Sequence, residues 1–101
     1  MDLKAGTRLA SVVCTTELIV VRSPTTPIDL RCGGQPMTPV DSDRNGGAID
    51  EAHRGGTQLG KRYADPVTGL EVLCTKGGEG SLSIGDIAMV VKESKPLPSS
   101  D

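Results

Sequence analysis

Three cysteines and one histidine are the side chains of this sequence that can hold a soft metal ion or exchange electrons. Cys14, Cys32, His53 and Cys74 together offer three thiolates and one imidazole, a set that zinc accepts. Structural zinc sites usually bring their ligands in close pairs such as C-x-x-C, whereas long stretches separate these four residues. The pattern therefore leaves three interpretations open: a zinc or iron site, a redox pair of thiols, and cysteines that are simply buried in the core.

The elements that would position these side chains are β-strands. Residues 18–21 form an unbroken and mostly β-branched apolar run, which favours a pleated strand over a helix. The prolines in residues 24–27 exclude a helix and indicate a bend at a sheet edge. Apolar and polar residues then alternate over 28–31, which predicts a half-buried strand leading to Cys32. The two glycines at 33–34 allow a sharp turn directly after this thiol.

The segment from Cys14 to Met37 resembles the desulforedoxin module, a short rubredoxin-like β unit. That family carries a Cys-x-x-Cys-Gly turn, a hairpin, and then Leu-x-Cys-Cys-Gly-x-Pro-Met. Here the first motif reads Cys-Thr-Thr-Glu and the last reads Leu-Arg-Cys-Gly-Gly-Gln-Pro-Met. The family's iron centre uses four thiolates, and Glu17 and Gly33 stand where two of them would be. The resemblance therefore implies a fold more than a metal, and it implies that Cys14 and Cys32 lie close together.

Length and composition bound the fold class. A chain of 101 residues forms one domain, and with no Trp or Phe and a single Tyr its core depends on aliphatic strands. The runs 18–21 and 87–91 are apolar enough to be buried on two faces. Because the chain has little bulk to cover both runs, we predict that it works as a homo-oligomer or on a protein partner.

Charge and hydropathy argue against two other kinds of partner. The formal net charge of −2 gives no basic footprint for nucleic acid, and aromatic stacking platforms are absent. No apolar run approaches the roughly 20 residues of a membrane span, so no membrane partner is expected. No apolar leader follows Met1, which places the protein in the cytoplasm, where free thiols are the default.

A polar, glycine-rich segment at residues 38–60 separates two sets of strand patterns. Long connections of this composition are usually binding loops or lids, so we predict that 38–60 is mobile. A short helix at 49–53 is an alternative for part of it. No nucleophile, base and orienting group are brought together by the sequence, so an enzyme is the less favoured class.

The second set of strand patterns occupies residues 61–93. It reads as a strand over 70–74 and a hairpin over 81–92, and residues 94–101 form a predicted extended tail. The sequences Val-Val-Cys-Thr and Val-Leu-Cys-Thr, around Cys14 and Cys74, echo one another. They indicate that these two thiols occupy comparable strand ends.

The sequence thus predicts a small all-β domain over residues 1–93, with about six short strands in a meander or hairpin sheet. The sheet would be rubredoxin-like or a small open barrel. The leading functional hypothesis is a non-catalytic accessory or interaction protein, acting as an oligomer or as a small subunit of a larger enzyme complex. The alternatives are an iron or zinc protein for electron transfer or structure, and a thiol redox sensor. The candidate ligands are Cys14, Cys32, Cys74 and His53.

Overall fold

The computed structural model describes residues 3–42 and 47–92, except for the side chain of Lys92. The predicted tail at 94–101 lies outside the described residues, as does part of the predicted loop, residues 43–46. Within the described ranges, no helix has the length and apolar character needed to cross a membrane.

Short strands are the main regular secondary structure of the described chain. In chain order they are β1 Arg8–Ala10, β2 Glu17–Arg22, β3 Leu30–Cys32, β4 Gln35–Pro36, β5 Thr38–Pro39, β6 Arg62–Ala64, β7 Glu71–Lys76, β8 Leu82–Ile84, β9 Ile87–Ala88 and β10 Val90–Lys92. They form two antiparallel sheets, with the orders β10-β6-β7-β2-β1-β5 and β4-β3-β8-β9. The predicted all-β fold is confirmed, and neither sheet closes into a barrel. These ten strands exceed the six or so expected, and three of them, β4, β5 and β9, are arms of only two residues.

Cys14 does not lie at the end of a strand, as its Val-Val-Cys-Thr sequence predicted. Strand β1 ends at Ala10, and Cys14 lies in the loop that follows. The N–H of Ser11 donates to the carbonyl of Thr16 at 2.9 Å and closes this loop. The Ser11 hydroxyl accepts the N–H groups of Val13 and Cys14, at 3.2 and 3.1 Å. A serine that accepts local N–H groups offers the backbone an alternative to the sheet ladder.

The strands fall into two equivalent sets of five. In each set the first two strands form a hairpin, β1–β2 and β6–β7, and the next two form a tighter hairpin, β3–β4 and β8–β9. The fifth strand returns to pair with the first, as β5 does with β1 and β10 with β6. In each sheet, the order of strands read from one edge matches the order read from the other edge once every strand is replaced by its counterpart in the other set. The fold is therefore internally duplicated, with pseudo-twofold symmetry.

Backbone hydrogen bonds recur at equivalent residues of the two halves. One register aligns Arg8 with Arg62 through the first hairpins, and another aligns Leu30 with Leu82 through the second hairpins. Written with the N–H donor first, the corresponding bonds are Gly6–Val20 and Gly60–Cys74, Thr7–Lys4 and Lys61–Gln58, Ser11–Thr16 and Asp65–Leu70, Val20–Thr7 and Cys74–Lys61, Gly33–Ser81 and Gly85–Asp29, and Met37–Leu30 and Met89–Leu82.

Equivalent strands meet at the centre of each sheet. In the β2–β7 pair, Ile19 lies opposite its own counterpart, Leu73. In the β3–β8 pair, Arg31 lies opposite its counterpart, Ser83. A residue that pairs with its own equivalent marks the symmetry axis, so the axis passes between β2 and β7 and between β3 and β8.

The duplication covers part of the apolar run 18–21, for which we expected a partner chain, and leaves Val21 exposed. Leu18 and Val20 are 1% and 2% exposed, and β7 of the second half pairs along β2. The other apolar run, 87–91, lies instead in the edge strands β9 and β10, where Ile87 and Val90 are exposed. Oligomer formation stays a prediction, and it now depends on these edges.

One main cluster of buried apolar side chains joins the two sheets. Each half contributes aliphatic residues to it, and the second half adds the single tyrosine. The members are Leu3, Leu9, Leu18, Val20, Leu30, Cys32, Met37, Tyr63, Leu70, Val72, Cys74 and Leu82.

The structural equivalence corrects the echo that we predicted from the sequence around Cys14 and Cys74. Cys14 corresponds to Thr68, and Cys74 corresponds to Val20 in the middle of a strand. The two cysteines therefore do not occupy comparable strand ends. The prediction was wrong because a shared Val-x-Cys-Thr sequence is too short to fix the register of a repeat.

The predicted mobile loop at 38–60 begins as β5, and its later part lies against the sheets. Residues Glu51–His53 form a 3₁₀ turn capped by the carboxylate of Asp50. The N–H of Asp50 donates to the carbonyl of Gly33 at 2.9 Å, and the N–H of Ser81 donates to the last carbonyl of the turn at 2.8 Å. Mobility of the loop stays a prediction, but these bonds hold the 3₁₀ turn beside the end of β3.

Candidate functional site

Cys14 lies in the loop between β1 and β2, where polar groups surround its sulfur. The Sγ atom is 3.2 Å from Ser11 Oγ and 3.3 Å from Thr16 Oγ1. The N–H of Gly80 donates to the same sulfur at 3.4 Å. The side chain is partly exposed, so the thiol is held in position and still accessible from solvent.

Cys32 ends β3, and its sulfur lies 3.9 Å from that of Cys14. Its side chain is fully buried. The turn that follows has positive φ values of 66° at Gly33 and 87° at Gly34, which lets β4 fold back directly after the thiol. The predicted proximity of Cys14 and Cys32 is confirmed.

The second half of the chain covers the thiol pair with the glycine-rich loop at residues 77–81. A Cβ atom added at Gly78 would lie 3.0 Å from the sulfur of Cys14. One added at Gly80 would lie 3.1 Å from the sulfur of Cys32. Because both thiols come from the first half and their cover comes from the second, the site is built across the symmetry axis.

The loop around Cys14 favours its thiolate. Burial on its own raises the pKa of Cys14, because a charged sulfur loses solvent. Hydrogen bonds from the Ser11 and Thr16 side chains, and from the backbone of Thr16 and Gly80, outweigh burial and lower the pKa to about 7. A substantial fraction of Cys14 is therefore ionised at neutral pH.

The other two thiols stay protonated at neutral pH. Burial raises the pKa of Cys32 to about 11, and the negative charge of Cys14 contributes to the rise. Burial also raises the pKa of Cys74; a backbone hydrogen bond at Lys76 opposes this rise, and the charge of Cys14 adds to it. The thiol of Cys74 lies 3.2 Å from the carbonyl oxygen of Lys76 and donates to it. The site thus pairs one acidic thiol with one protonated thiol.

The depressed pKa of Cys14 sets the pH dependence of its chemistry. Because the thiolate is the nucleophile, alkylation of Cys14 by iodoacetamide should rise with pH to a half-maximum near pH 7 and then level off. Replacing Thr16 with valine removes one donor at almost constant volume and should move this midpoint upward. Peptide-resolved mass spectrometry of the native protein measures both profiles. A wild-type midpoint at about 8.5, the value of a free cysteine, would contradict the assigned hydrogen bonds.

The four predicted metal ligands do not all lie together in the structure. The structure brings Cys14 and Cys32 together, and it places Cys74 close enough for the charge of Cys14 to raise the pKa of Cys74. His53 lies half-buried in the 3₁₀ turn. Among the described residues, no group of three or more His, Cys, Asp or Glu side chains is placed to hold a metal ion. The four-ligand set stays a prediction.

Sequence reasoning missed the groups that surround the sulfur of Cys14. The resemblance placed Glu17 at a ligand position, but Glu17 pairs with Lys76, and Ser11 is the residue whose hydroxyl lies beside Cys14. Ser11 and Thr16 lie on either side of Cys14 in the sequence. Two such hydroxyl residues in a short segment favour a tight loop, because their side chains form hydrogen bonds with the nearby backbone. Gly80 has no local signal, because it lies 66 residues away from Cys14 along the chain.

The second half contains the matching loop without its thiols. Thr68 replaces Cys14 and donates to the carboxylate of Asp65, the counterpart of Ser11, at 2.6 Å. The carboxylate of Asp65 also accepts the N–H of Val67 at 3.2 Å, as Ser11 does for Val13. Ile84 stands where Cys32 stands in the first half. The duplicated fold therefore carries one thiol pair.

Restoring both thiols in the second half should create a second pair. In the double variant Thr68→Cys/Ile84→Cys, we expect an additional disulfide between residues 68 and 84 after mild oxidation, because symmetry places these positions as it places 14 and 32. The matched control is Val67→Cys/Ile84→Cys, whose first site is the exposed neighbour of Thr68. Mass spectrometry after alkylation counts the disulfides. Equal cross-linking in the two double variants would contradict the equivalence.

Comparison with known proteins identifies no relative: no family model, no curated protein and no solved structure matches the chain. The resemblance of residues 14–37 to desulforedoxin therefore stays a prediction.

Proposed function

We propose that this protein is a thiol redox protein in which Cys14 and Cys32 interconvert between a dithiol and a disulfide. The distance of 3.9 Å between their sulfur atoms carries the proposal. A disulfide bond is about 2.05 Å long, so oxidation asks the two sulfurs to approach by about 2 Å, which side-chain rotation and small shifts of the Cys14 loop can supply.

The two thiols have complementary roles in this exchange. Cys14 is partly exposed and ionised near neutral pH, so it attacks an external disulfide first. Cys32 is buried and neutral, and it lies next to the mixed disulfide that results. Its sulfur then displaces the external thiol and loses a proton. With oxidised glutathione, each cycle yields one protein disulfide and two molecules of reduced glutathione.

Thiol counting tests the proposal. Oxidised glutathione should reduce the number of free thiols from three to one and leave Cys74 free. The variant Cys74→Ser should lose both of its remaining thiols, since neither belongs to Cys74. The variant Cys14→Ser should keep both remaining thiols. Three free thiols after treatment with oxidised glutathione, and again after treatment with hydrogen peroxide, would defeat the proposal.

A zinc or iron protein is the second candidate, and the same distance favours it. Two thiolates on a tetrahedral zinc ion, with bonds of about 2.3 Å, lie about 3.8 Å apart. Cys14 and Cys32 fit such an edge, but the described residues supply no third ligand beside them. Competition with a chromophoric chelator decides: submicromolar zinc affinity that is lost in Cys32→Ser, and weakened in Cys74→Ser or His53→Ala, would favour this candidate.

The accessory role that the sequence predicted rests on the sheet edges. Ile87 is 75% exposed and Val90 is 56% exposed, in the edge strands β9 and β10. Unpaired edges with apolar side chains are ready sites for another strand. Light scattering at micromolar concentration tests self-association, and Val90→Lys should keep the protein monomeric if this edge is the interface.

A further inference from the structure

Access to the thiol pair is restricted to one sulfur. Cys32 and Cys74 are 0% and 1% exposed, and Cys14 is partly exposed. Any oxidant that enters from solvent therefore meets Cys14 first. Cys32 is reached only from inside the site, by the sulfur of Cys14.

One side of Cys14 is closed by the loop at residues 77–81. A single carbon added at Gly78 would lie 3.0 Å from the Cys14 sulfur and 2.5 Å from Thr16 Oγ1. Attack on a disulfide needs three sulfurs in line, each outer one carrying its carbon chain. Attack on a hydroperoxide needs two oxygen atoms in line with the sulfur, and the outer one carries a hydrogen or a carbon group. A small hydroperoxide therefore needs less room on the open side of Cys14 than a disulfide does.

The polar groups around Cys14 suit the cleavage of an O–O bond. When a thiolate attacks a peroxide, negative charge moves from sulfur to the departing oxygen. The hydroxyls of Ser11 and Thr16 and the N–H of Gly80 lie within 3.4 Å of the sulfur. These donors stabilise the attacking thiolate, and a hydroxyl that rotates from the sulfur toward the departing oxygen would stabilise the charge that develops there as well.

We propose that a small hydroperoxide is the oxidant of this site, that Cys14 is the thiol it oxidises and that Cys32 completes the disulfide. The inference rests on the proposed dithiol function and names its substrate class. In the first step the Cys14 thiolate attacks one peroxide oxygen, the O–O bond breaks, and the departing alkoxide or hydroxide takes a proton from water. The product is a sulfenic acid on Cys14, and the peroxide has been reduced to an alcohol or water.

The second step consumes the sulfenic acid. The sulfur of Cys32, 3.9 Å away, attacks the sulfur of Cys14 and forms the S–S bond. The S–O bond breaks, and the departing hydroxide takes the proton of the Cys32 thiol and leaves as water. The two electrons that reduced the peroxide have come from the two thiols. An external thiol is needed to reduce the disulfide and start another cycle.

Trapping of the sulfenic acid tests the proposal. Hydrogen peroxide and tert-butyl hydroperoxide should convert the wild-type protein to the Cys14–Cys32 disulfide. In Cys32→Ser the reaction should stop at Cys14 sulfenic acid, which dimedone labels. If Cys32→Ser does not fold, dimedone is added to the wild-type protein during oxidation, and its adduct should appear on Cys14 at the expense of the disulfide.

A rate comparison separates a role of the donors in peroxide cleavage from their effect on the thiolate. Thr16→Val should slow oxidation by hydrogen peroxide about tenfold more than it slows alkylation by iodoacetamide, because one hydrogen bond to a developing charge is lost. The matched control is Thr75→Val, an exposed threonine of β7, and it should change neither rate. Equal slowing of both reactions in Thr16→Val would overturn the assigned role of the donors.

The outcomes distinguish this inference from the function on which it rests. If oxidised glutathione forms the Cys14–Cys32 disulfide but peroxides leave Cys14 reduced, or label Cys74 first, the hydroperoxide inference is overturned and the dithiol function stands. If neither oxidant links Cys14 to Cys32, the dithiol function falls as well.

Discussion

Replacing Gly80 with alanine is expected to lower the free energy of unfolding by about 3 kcal/mol. The added Cβ would lie 2.8 Å from the backbone nitrogen of Gly33, 3.0 Å from its Cα and 3.1 Å from the sulfur of Cys32. Because two of these atoms belong to the backbone, no side-chain rotation can relieve the overlap. The loop at 77–81 must then move away from the thiol pair. A loss of this size is a large part of the stability of a small domain.

Urea unfolding monitored by circular dichroism measures the effect of Gly80→Ala, and the chain supplies a matched control. A Cβ at Gly47 would meet no atom within 4 Å, and the φ angle of Gly47 is not positive. Gly47→Ala should change the free energy of unfolding by less than about 0.5 kcal/mol. Equal stabilities of the two variants would show that the loop does not lie on the thiols as described.

Replacing Val20 with alanine is expected to lower the free energy of unfolding by about 2 kcal/mol. Val20 is 2% exposed and lies opposite Val72 where β2 of the first half pairs with β7 of the second. The substitution removes two methyl groups from the seam between the halves and leaves a cavity there. The loss therefore reports how strongly the duplicated halves stabilise one another.

The adjacent valine of the same strand provides the control for Val20→Ala. Val21 is 41% exposed, so Val21→Ala makes the same chemical change with little loss of buried surface. We expect a change below about 0.5 kcal/mol in the same unfolding experiment. A cost for Val21→Ala as large as that for Val20→Ala would mean that Val21 is covered in solution, as it would be in an oligomer.

The all-β class and the strongest local elements follow from the sequence. The β-branched run at 18–21 lies within β2, and the glycines at 33–34 form the turn after Cys32, because both patterns act through local backbone preferences. The proximity of Cys14 and Cys32 came from a resemblance in a short segment. Local signals and one short motif thus predict the pair of thiols, but they do not predict the groups that surround the pair.

The rest depends on contacts between distant parts of the chain. Gly80, in the second half of the chain, covers the two thiols of the first half. The residues next to Gly80 in the sequence give no sign of this contact. The duplication is also hard to see in the sequence. The identical residues at equivalent positions are isolated from one another, so the symmetry is visible only in the strand pairing and the hydrogen bonds. The identical pairs are Gly6 and Gly60, Arg8 and Arg62, Ala10 and Ala64, Val13 and Val67, Glu17 and Glu71, Leu30 and Leu82, Gly33 and Gly85, and Met37 and Met89.

The most direct test of the dithiol function is a redox titration in glutathione buffers, with the disulfide located by mass spectrometry of peptides. We expect a single two-electron transition, whose oxidised form links Cys14 to Cys32 and leaves Cys74 as a free thiol. The variant Cys74→Ser should show the same transition, and Cys32→Ser should show no intramolecular disulfide. A disulfide that includes Cys74, or three free thiols across the whole range of potentials, would contradict the dithiol function of Cys14 and Cys32.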